Sequence, residues 1–295
     1  MLYLWPKCTV ACSARPASSM ELRSNTCSKK SYADDFLSRF VVPWPTVDQA
    51  LASDVQALDA GGTRLDYMHF SVTLSRTRRL ALYVGVNIDG DLQVDVPRSN
   101  DTWAYDGRVP ISAQVGDELY ASNGLDRGHL VRRQDPNWGE EATVANLDTF
   151  HFTNCSPQMS AFNQKTWLEL EDYILDNTRR WKARATVFTG PVLADDDRVY
   201  RGVKIPKAYW KVVAYLGDDG KPSTSAYMID QSRELDRLDL VSGPLRAYRR
   251  SVLQIEQLTG IRFANLADYD GFSNEERATG TPIDAIIQGP EDIRL

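Results

Sequence analysis

Two runs rich in strand-forming residues, 209–216 (YWKVVAYL) and 223–229 (STSAYMI), flank the tetrapeptide Gly217-Asp218-Asp219-Gly220. A Gly/Asp turn of this length folds the chain back on itself, so the pair predicts a hairpin and commits the fold to antiparallel sheet. Residues 80–88 (LALYVGVNI) form a further strand-rich run. Asp89-Gly90 then reads as a turn pair, and Leu92, Val94 and Val96 alternate with polar residues, which predicts a second hairpin. Residues 185–189 read as a short strand stopped by Gly190-Pro191.

One long helix is expected over residues 160–182, where Phe162, Trp167, Leu170, Ile174 and Trp181 recur at near-helical spacing behind Ser160 as N-cap. Ser251-x-x-Gln254 has the form of a capping box opening a short helix that Gly260 closes. Strands and helices intersperse without regular βαβ alternation. The expected class is therefore α+β, with a mainly antiparallel central sheet flanked by helices.

The folded domain is expected to span residues 32–267, entered through the extended segment Val41-Val42-Pro43-Trp44-Pro45, because each proline biases its predecessor away from helix. Residues 1–31 read as a leader or disordered segment. The first twenty carry no acid and only Lys7 and Arg15 as bases, and Pro6 and Lys7 interrupt the one apolar beginning. A transit peptide, a true start at Met20 and a plain disordered tail all fit that stretch. Cys8, Cys12 and Cys27 fall in it with no histidine nearby, so unpaired thiols are favoured over zinc. Residues 268–295 turn polar and are expected to be a C-terminal tail, loose over 271–281.

Composition narrows the classes of function. With 42% hydrophobic and 25% charged residues, the chain is neither disordered nor a coiled coil. No apolar run approaches the ~18 residues of a spanning helix, so no membrane role is expected. A net charge of -6 argues against coating nucleic acid through bulk positive charge, but an enzyme acting on a polyanion needs only a local basic site.

The chain has three histidines, His69, His129 and His151. His129 ends the segment Leu125-Asp126-Arg127-Gly128-His129 and is followed by Arg132 and Arg133, which sets an imidazole beside guanidiniums able to grip a phosphate. Downstream come Asn154-Cys155-Ser156-Pro157-Gln158 and then Asn163-Gln164-x-x-Trp167-x-x-Leu170-Glu171. In this order, Asp-Arg-Gly-His, Asn-x-x-Pro-Gln and Asn-Gln-x-x-Trp-x-x-Leu-Glu resemble the DNA/RNA non-specific endonuclease family. His69-Phe70-Ser71-Val72, Asn87-Ile88-Asp89-Gly90, Phe188-Thr189-Gly190-Pro191 and Ile205-Pro206-Lys207-Ala208-Tyr209-Trp210 also look like segments of that family.

The resemblance implies a ββα-metal (His-Me finger) site and a magnesium-dependent endonuclease hydrolysing both DNA and RNA, with manganese able to substitute, to 5′-phosphate and 3′-hydroxyl ends. Carried over residue by residue, His129 matches the general base, Asn163 the direct metal ligand, and Glu171 the carboxylate that orders the metal's waters. Arg127 and Asn154 match positions that organise the site or hold the phosphate. Arg98 does so by spacing alone. A homodimer is a further implication. The alternative is a nucleic-acid-binding relative of the same fold without catalysis, which would lack the His, Asn or Glu; a Ser/His hydrolase would need a Gly-x-Ser-x-Gly elbow.

Helical geometry agrees with the carry-over. Asn163 and Glu171 stand about 12 Å apart along one helix axis and about 80° apart around it. They are not adjacent ligands, and a magnesium ion that keeps most of its water tolerates that separation. Trp167, Leu170 and Ile174 read as core anchors, and Cys155 as a small apolar filler. Arg76, Arg78 and Arg79, with Arg179, Arg180 and Arg184, form either a local positive track or a solvated face.

Overall fold

A computed structural model describes residues 22–23, 30–98, 101–160, 166–235, 246–287 and 292–293. Eight strands make one sheet in the spatial order Ala285–Ile287, Arg246–Arg250, Pro222–Asp230, Ala208–Leu216, Arg184–Val192, Ala81–Asp89, Phe70–Leu74, Arg64–Tyr67. Every neighbouring pair is antiparallel. The expected α+β class with an antiparallel centre is thus what forms. The predicted hairpin runs in register from Ala208 opposite Asp230 to Leu216 opposite Pro222, with Gly220 at φ 71° in its turn.

The other predicted hairpin does not form. Ala81–Asp89 has both edges occupied, by Phe70–Leu74 and by Arg184–Val192, so no edge is left for residues 92–96. Those residues leave the sheet and bond to another loop, with Leu92 O accepting from Gly139 N at 2.9 Å and Val94 N donating to Asn137 O at 2.8 Å. Gly190-Pro191 does not stop its strand either. Pro191 lies past the last rung with Ala81–Asp89, where its missing N–H costs no ladder bond. Gly190 is needed for close approach, because a Cβ there would lie 2.5 Å from Leu82 O and 2.7 Å from Trp210.

Each face of the sheet has its own core. On one face Tyr209, Val213, Val187, Val86 and Tyr227 meet Leu170, Ile174 and Leu175 of the helix Thr166–Trp181, together with Leu130 and Val131. On the other, Trp210, Val212, Ala214 and Phe188 meet Tyr32, Phe40, Ile255 and Phe263. Leu170 and Ile174 are therefore core anchors as expected. Trp181 is not, being 62% exposed in the last turn beneath the Arg180 guanidinium. Phe162 and Asn163 lie outside the described residues, as does the Trp167 side chain. The Ser160 hydroxyl donates to Gly124 O and Asp126, and the amides it would cap fall outside the described residues.

Ser251 caps Val252–Thr259 by accepting from Gln254 N at 2.9 Å, and Gly260 closes it at φ 68°. The tail is not loose. Gly271–Thr279 is a helix whose buried cap, Asp270, accepts from Phe272 N and Ser273 N and also from Val252 N. Ala285–Ile287 then supplies an edge strand to the main sheet. A buried capping carboxylate bonded to two helices docks a polar segment that its composition alone marks as solvent-exposed. Within the expected leader, Leu22–Arg23 pairs in parallel with Tyr105–Asp106, while Cys8, Cys12 and Cys27 lie outside the described residues.

Candidate active site

Above the Leu170 face, two short strands, Leu125–His129 and Cys155–Met159, pair antiparallel with His129 opposite Cys155. The chain then enters the helix Thr166–Trp181, so strand, strand and helix follow in the order the motifs imply. Gly128 is dictated by packing: a Cβ there would meet the fully buried Gln158 side chain at 2.1 Å. Asn154 is fully buried and faces backbone. Its Nδ2 donates to Val131 O at 2.9 Å and Thr149 O at 3.0 Å, and its Oδ1 accepts from Val131 N at 2.9 Å. The amide thereby clamps the turn after His129, and it is absent from the lining of the cleft beside it.

That cleft has a volume of about 450 Å³, and His129, Arg127, Arg98, Arg133 and Glu171 all line it. The His129 ring packs against Trp103 at 4.6 Å and, edge to face, Phe150 at 4.9 Å. Burial, reinforced by the positive charges of Arg133 and Arg98, pushes its pKa down to about 3. Nε2 is buried with no protein partner, and the depressed pKa keeps the imidazole neutral near pH 7. Arg127 is held by Asp117 at 2.5 Å and lies over the Tyr120 ring. Arg98 is 75% exposed, 3.6 Å from Asp101.

Glu171 faces the cleft from inside a buried charge cluster. Its Oε1 is 3.0 Å from the ammonium of Lys211, which also donates to Thr189 Oγ1 at 3.0 Å. Asp135 shares the site: burial, then the Glu171 charge, raise its pKa to about 7 against the pull of Arg132 and Lys211. Arg132 in turn pairs with Asp172 at 2.5 Å. Sequence reasoning missed Asp117, Asp135 and Lys211. Only Lys211 carried a signal, being a charge in the middle of an otherwise apolar strand, which demands a buried partner.

The position of the proposed direct ligand, Asn163, lies outside the described residues. The donors that are described suit a hydrated hard cation. Glu171 presents one buried carboxylate to the cleft, and no group of three His, Cys, Asp or Glu side chains gathers among the described residues as zinc would require. Cys155 is the buried filler expected, its Sγ donating to the Tyr120 hydroxyl at 3.2 Å. Half of the suggested arginine track is neutralised, since Arg78 pairs with Asp197, Arg179 with Asp95 and Arg184 with Asp89. No helix among the described residues is long and apolar enough to cross a membrane.

An imidazole on a paired strand and a carboxylate on the following helix, both lining one arginine-rimmed cleft, make a ββα arrangement. Residues 49–270 match the profile of the family described as DNA/RNA non-specific endonuclease, and the chain belongs to that family. It is 39% identical to the uncharacterized protein y4fB of Sinorhizobium fredii over 89% of this chain and 43% of that protein. It is 26% identical to mitochondrial endonuclease G of Bos taurus, over 58% of each chain, so it spans only about half the length of these two relatives. The nuclease of Serratia marcescens is 26% identical over 75% of this chain and 86% of its own. In three dimensions, the crystal structure of the EndoG/EndoGI complex contains a chain that aligns with a TM-score of 0.53 at 18% identity. The alignment covers 69% of this chain and 86% of that one, a likeness of fold.

Proposed function

We propose that this protein is a magnesium-dependent endonuclease that hydrolyses phosphodiester bonds of DNA and RNA, with His129 as general base. The observation that carries the reading is the neutral imidazole whose buried, unpartnered Nε2 lies in a cleft rimmed by Arg98, Arg127 and Arg133. A neutral imidazole takes a proton from water as that water attacks phosphorus, a role worth about 10²- to 10⁴-fold in rate. Arg127, pre-set by Asp117, holds a non-bridging oxygen and meets the charge that grows there. Asn154 acts at one remove, keeping the turn after His129 in place.

Asn163 as direct ligand and Glu171 through water would hold magnesium, which supplies charge neutralisation at the phosphoryl and departing oxygens. Nothing in this chemistry uses the 2′-hydroxyl or a base edge, which is why both DNA and RNA are proposed as substrates. A non-catalytic binding relative has no use for an uncommitted base beside a buried carboxylate. A homodimer is the assembly we carry over from the resemblance, and sedimentation velocity reads it.

The test is incubation of the purified protein with plasmid and with RNA, in magnesium and in chelator, followed by end analysis. Both substrates are expected to be cut in magnesium only, leaving ends that a kinase labels only after phosphatase. Full cutting in excess chelator would overturn the metal, and no cutting of either polymer would overturn the activity.

A further inference from the structure

The strand Ala208–Leu216 lies in the middle of the eight-stranded sheet, with partners on both edges. On the face toward the helix its side chains are Tyr209, Lys211 and Val213, and Lys211 is 1% exposed. Placing an ammonium there is costly unless a counter-charge repays it. A hydrophobic residue of similar length would fill the same space without that cost. The counter-charge is Glu171, 9% exposed and 3.0 Å away, on the helix Thr166–Trp181, whose Leu170 and Ile174 share this face's core and whose Glu171 lines the cleft. Thr189, directly opposite Lys211 on the neighbouring strand, accepts a hydrogen bond from the ammonium at 3.0 Å and so helps to fix where that charge sits.

Without Lys211, the Glu171 carboxylate would lose its 3.0 Å counter-charge and share the buried site with Asp135 and with Arg132, whose Nη2 is held by Asp172 and whose Nη1 has no partner. The Glu171 carboxylate would then be drawn to that unpartnered Nη1 and away from the position the ammonium fixes.

From this geometry we infer that Lys211 is a positioning residue: it holds the Glu171 carboxylate in place and orientation at the cleft while itself touching neither substrate nor metal. The inference rests on the nuclease reading, and adds to it a residue on the central sheet. Lys211 acts only through Glu171, so its effect on turnover must vanish once Glu171 is neutral.

The test uses the full chain as parent, Lys211→Met, Glu171→Gln and the double variant. In magnesium, Lys211→Met is expected to lower kcat by about 10- to 100-fold, the usual cost of losing a partner that orients a site group, with KM changed less than about three-fold. The double variant should match Glu171→Gln in kcat within about two-fold, because coupled residues do not contribute independently. In chelator, each single variant should lower the urea midpoint by leaving a buried charge unpaired, and the double variant should recover most of the loss. Should Lys211→Met fold poorly, the comparison of the double variant with Glu171→Gln decides alone, since neither carries the unpaired carboxylate. A double variant tenfold or more below Glu171→Gln, a Lys211→Met enzyme as fast as the parent, or additive losses in urea would each overturn the inference. A parent that cuts no nucleic acid would overturn the nuclease reading, and this inference with it.

Discussion

The two faces of the strand Ala208–Leu216 are separated by one residue in sequence and differ in kind. Trp210, Val212 and Ala214 sit in a mainly apolar layer, broken by the buried Thr186 and Thr224 opposite Ala214, where the Trp210 ring packs edge-on against Phe263 at 5.3 Å and fills the room left by Gly190. Tyr209, Lys211 and Val213 sit in a layer where a buried lysine, two buried carboxylates and an arginine interrupt the hydrocarbon. The closed face is held chiefly by area removed from water and carries no buried charge pair among the described residues. The open face carries the cleft, and gives up packing there to hold charges in fixed positions. One strand therefore serves stability with its even residues and the site with its odd ones.

That contrast is sharpest under truncation. Trp210→Ala on the closed face should cost about 3–5 kcal/mol of stability, as large aromatic truncations in cores do, with unchanged turnover per folded molecule. Urea unfolding beside active-site titration checks it, and a large drop in kcat would blur the division between the faces. Gly128→Ala, above the open face, should do the reverse. The new Cβ must displace the buried Gln158, so we expect about 1–3 kcal/mol of destabilisation from overpacking and at least about a tenfold fall in kcat as the His129 strand shifts.

Acidification probes the open face through His129 and Asp135. His129 has a folded pKa of about 3 against about 6.5 in an unfolded chain, so between those values the unfolded chain binds more protons and stability falls as pH falls. Asp135, at about 7 folded against 3.8 unfolded, has the opposite sign and stabilises as pH falls through 7. The two slopes oppose each other between 3.8 and about 6.5. Relative to the parent, His129→Ala should therefore gain stability steadily from pH 6.5 to 4, and the acid limb of kcat/KM in the parent should lie well below the ordinary histidine value. A limb at 6.5 would show that the imidazole titrates as in water.

The smallest effect is expected at the rim. Asp117→Ala frees Arg127 from a solvent-exposed pair, so stability should change by no more than about 1 kcal/mol while KM rises a few-fold. Unchanged KM would remove Arg127 from substrate binding.

Local signals were legible and long-range ones were not. The hairpin around Gly217 to Gly220, the Ser251 cap and the helix bearing Leu170 and Ile174 each follow from neighbours within a turn or two. The misplaced hairpin at residues 92–96 had correct alternation but no free edge to pair with, a fact that depends on residues 184–192. The docked tail turned on Asp270, whose capping bond to Val252 crosses 18 positions. In the candidate site, motifs mark His129, Arg127 and Glu171, and one cleft brings the three together. Asp135 and Lys211 lie 36 and 40 residues from Glu171 and join it only when the sheet is assembled, so no local pattern ties them to it.

The most direct measurement is single-turnover cleavage of a labelled oligonucleotide by the parent and by His129→Ala, with binding of the same oligonucleotide and thermal unfolding followed in parallel. The account predicts that at about pH 7.5, above the unfolded histidine pKa, His129→Ala binds and melts like the parent and cleaves about 10²- to 10⁴-fold more slowly. Cleavage within a few-fold of the parent would contradict it, and the general base would have to be sought elsewhere in the cleft.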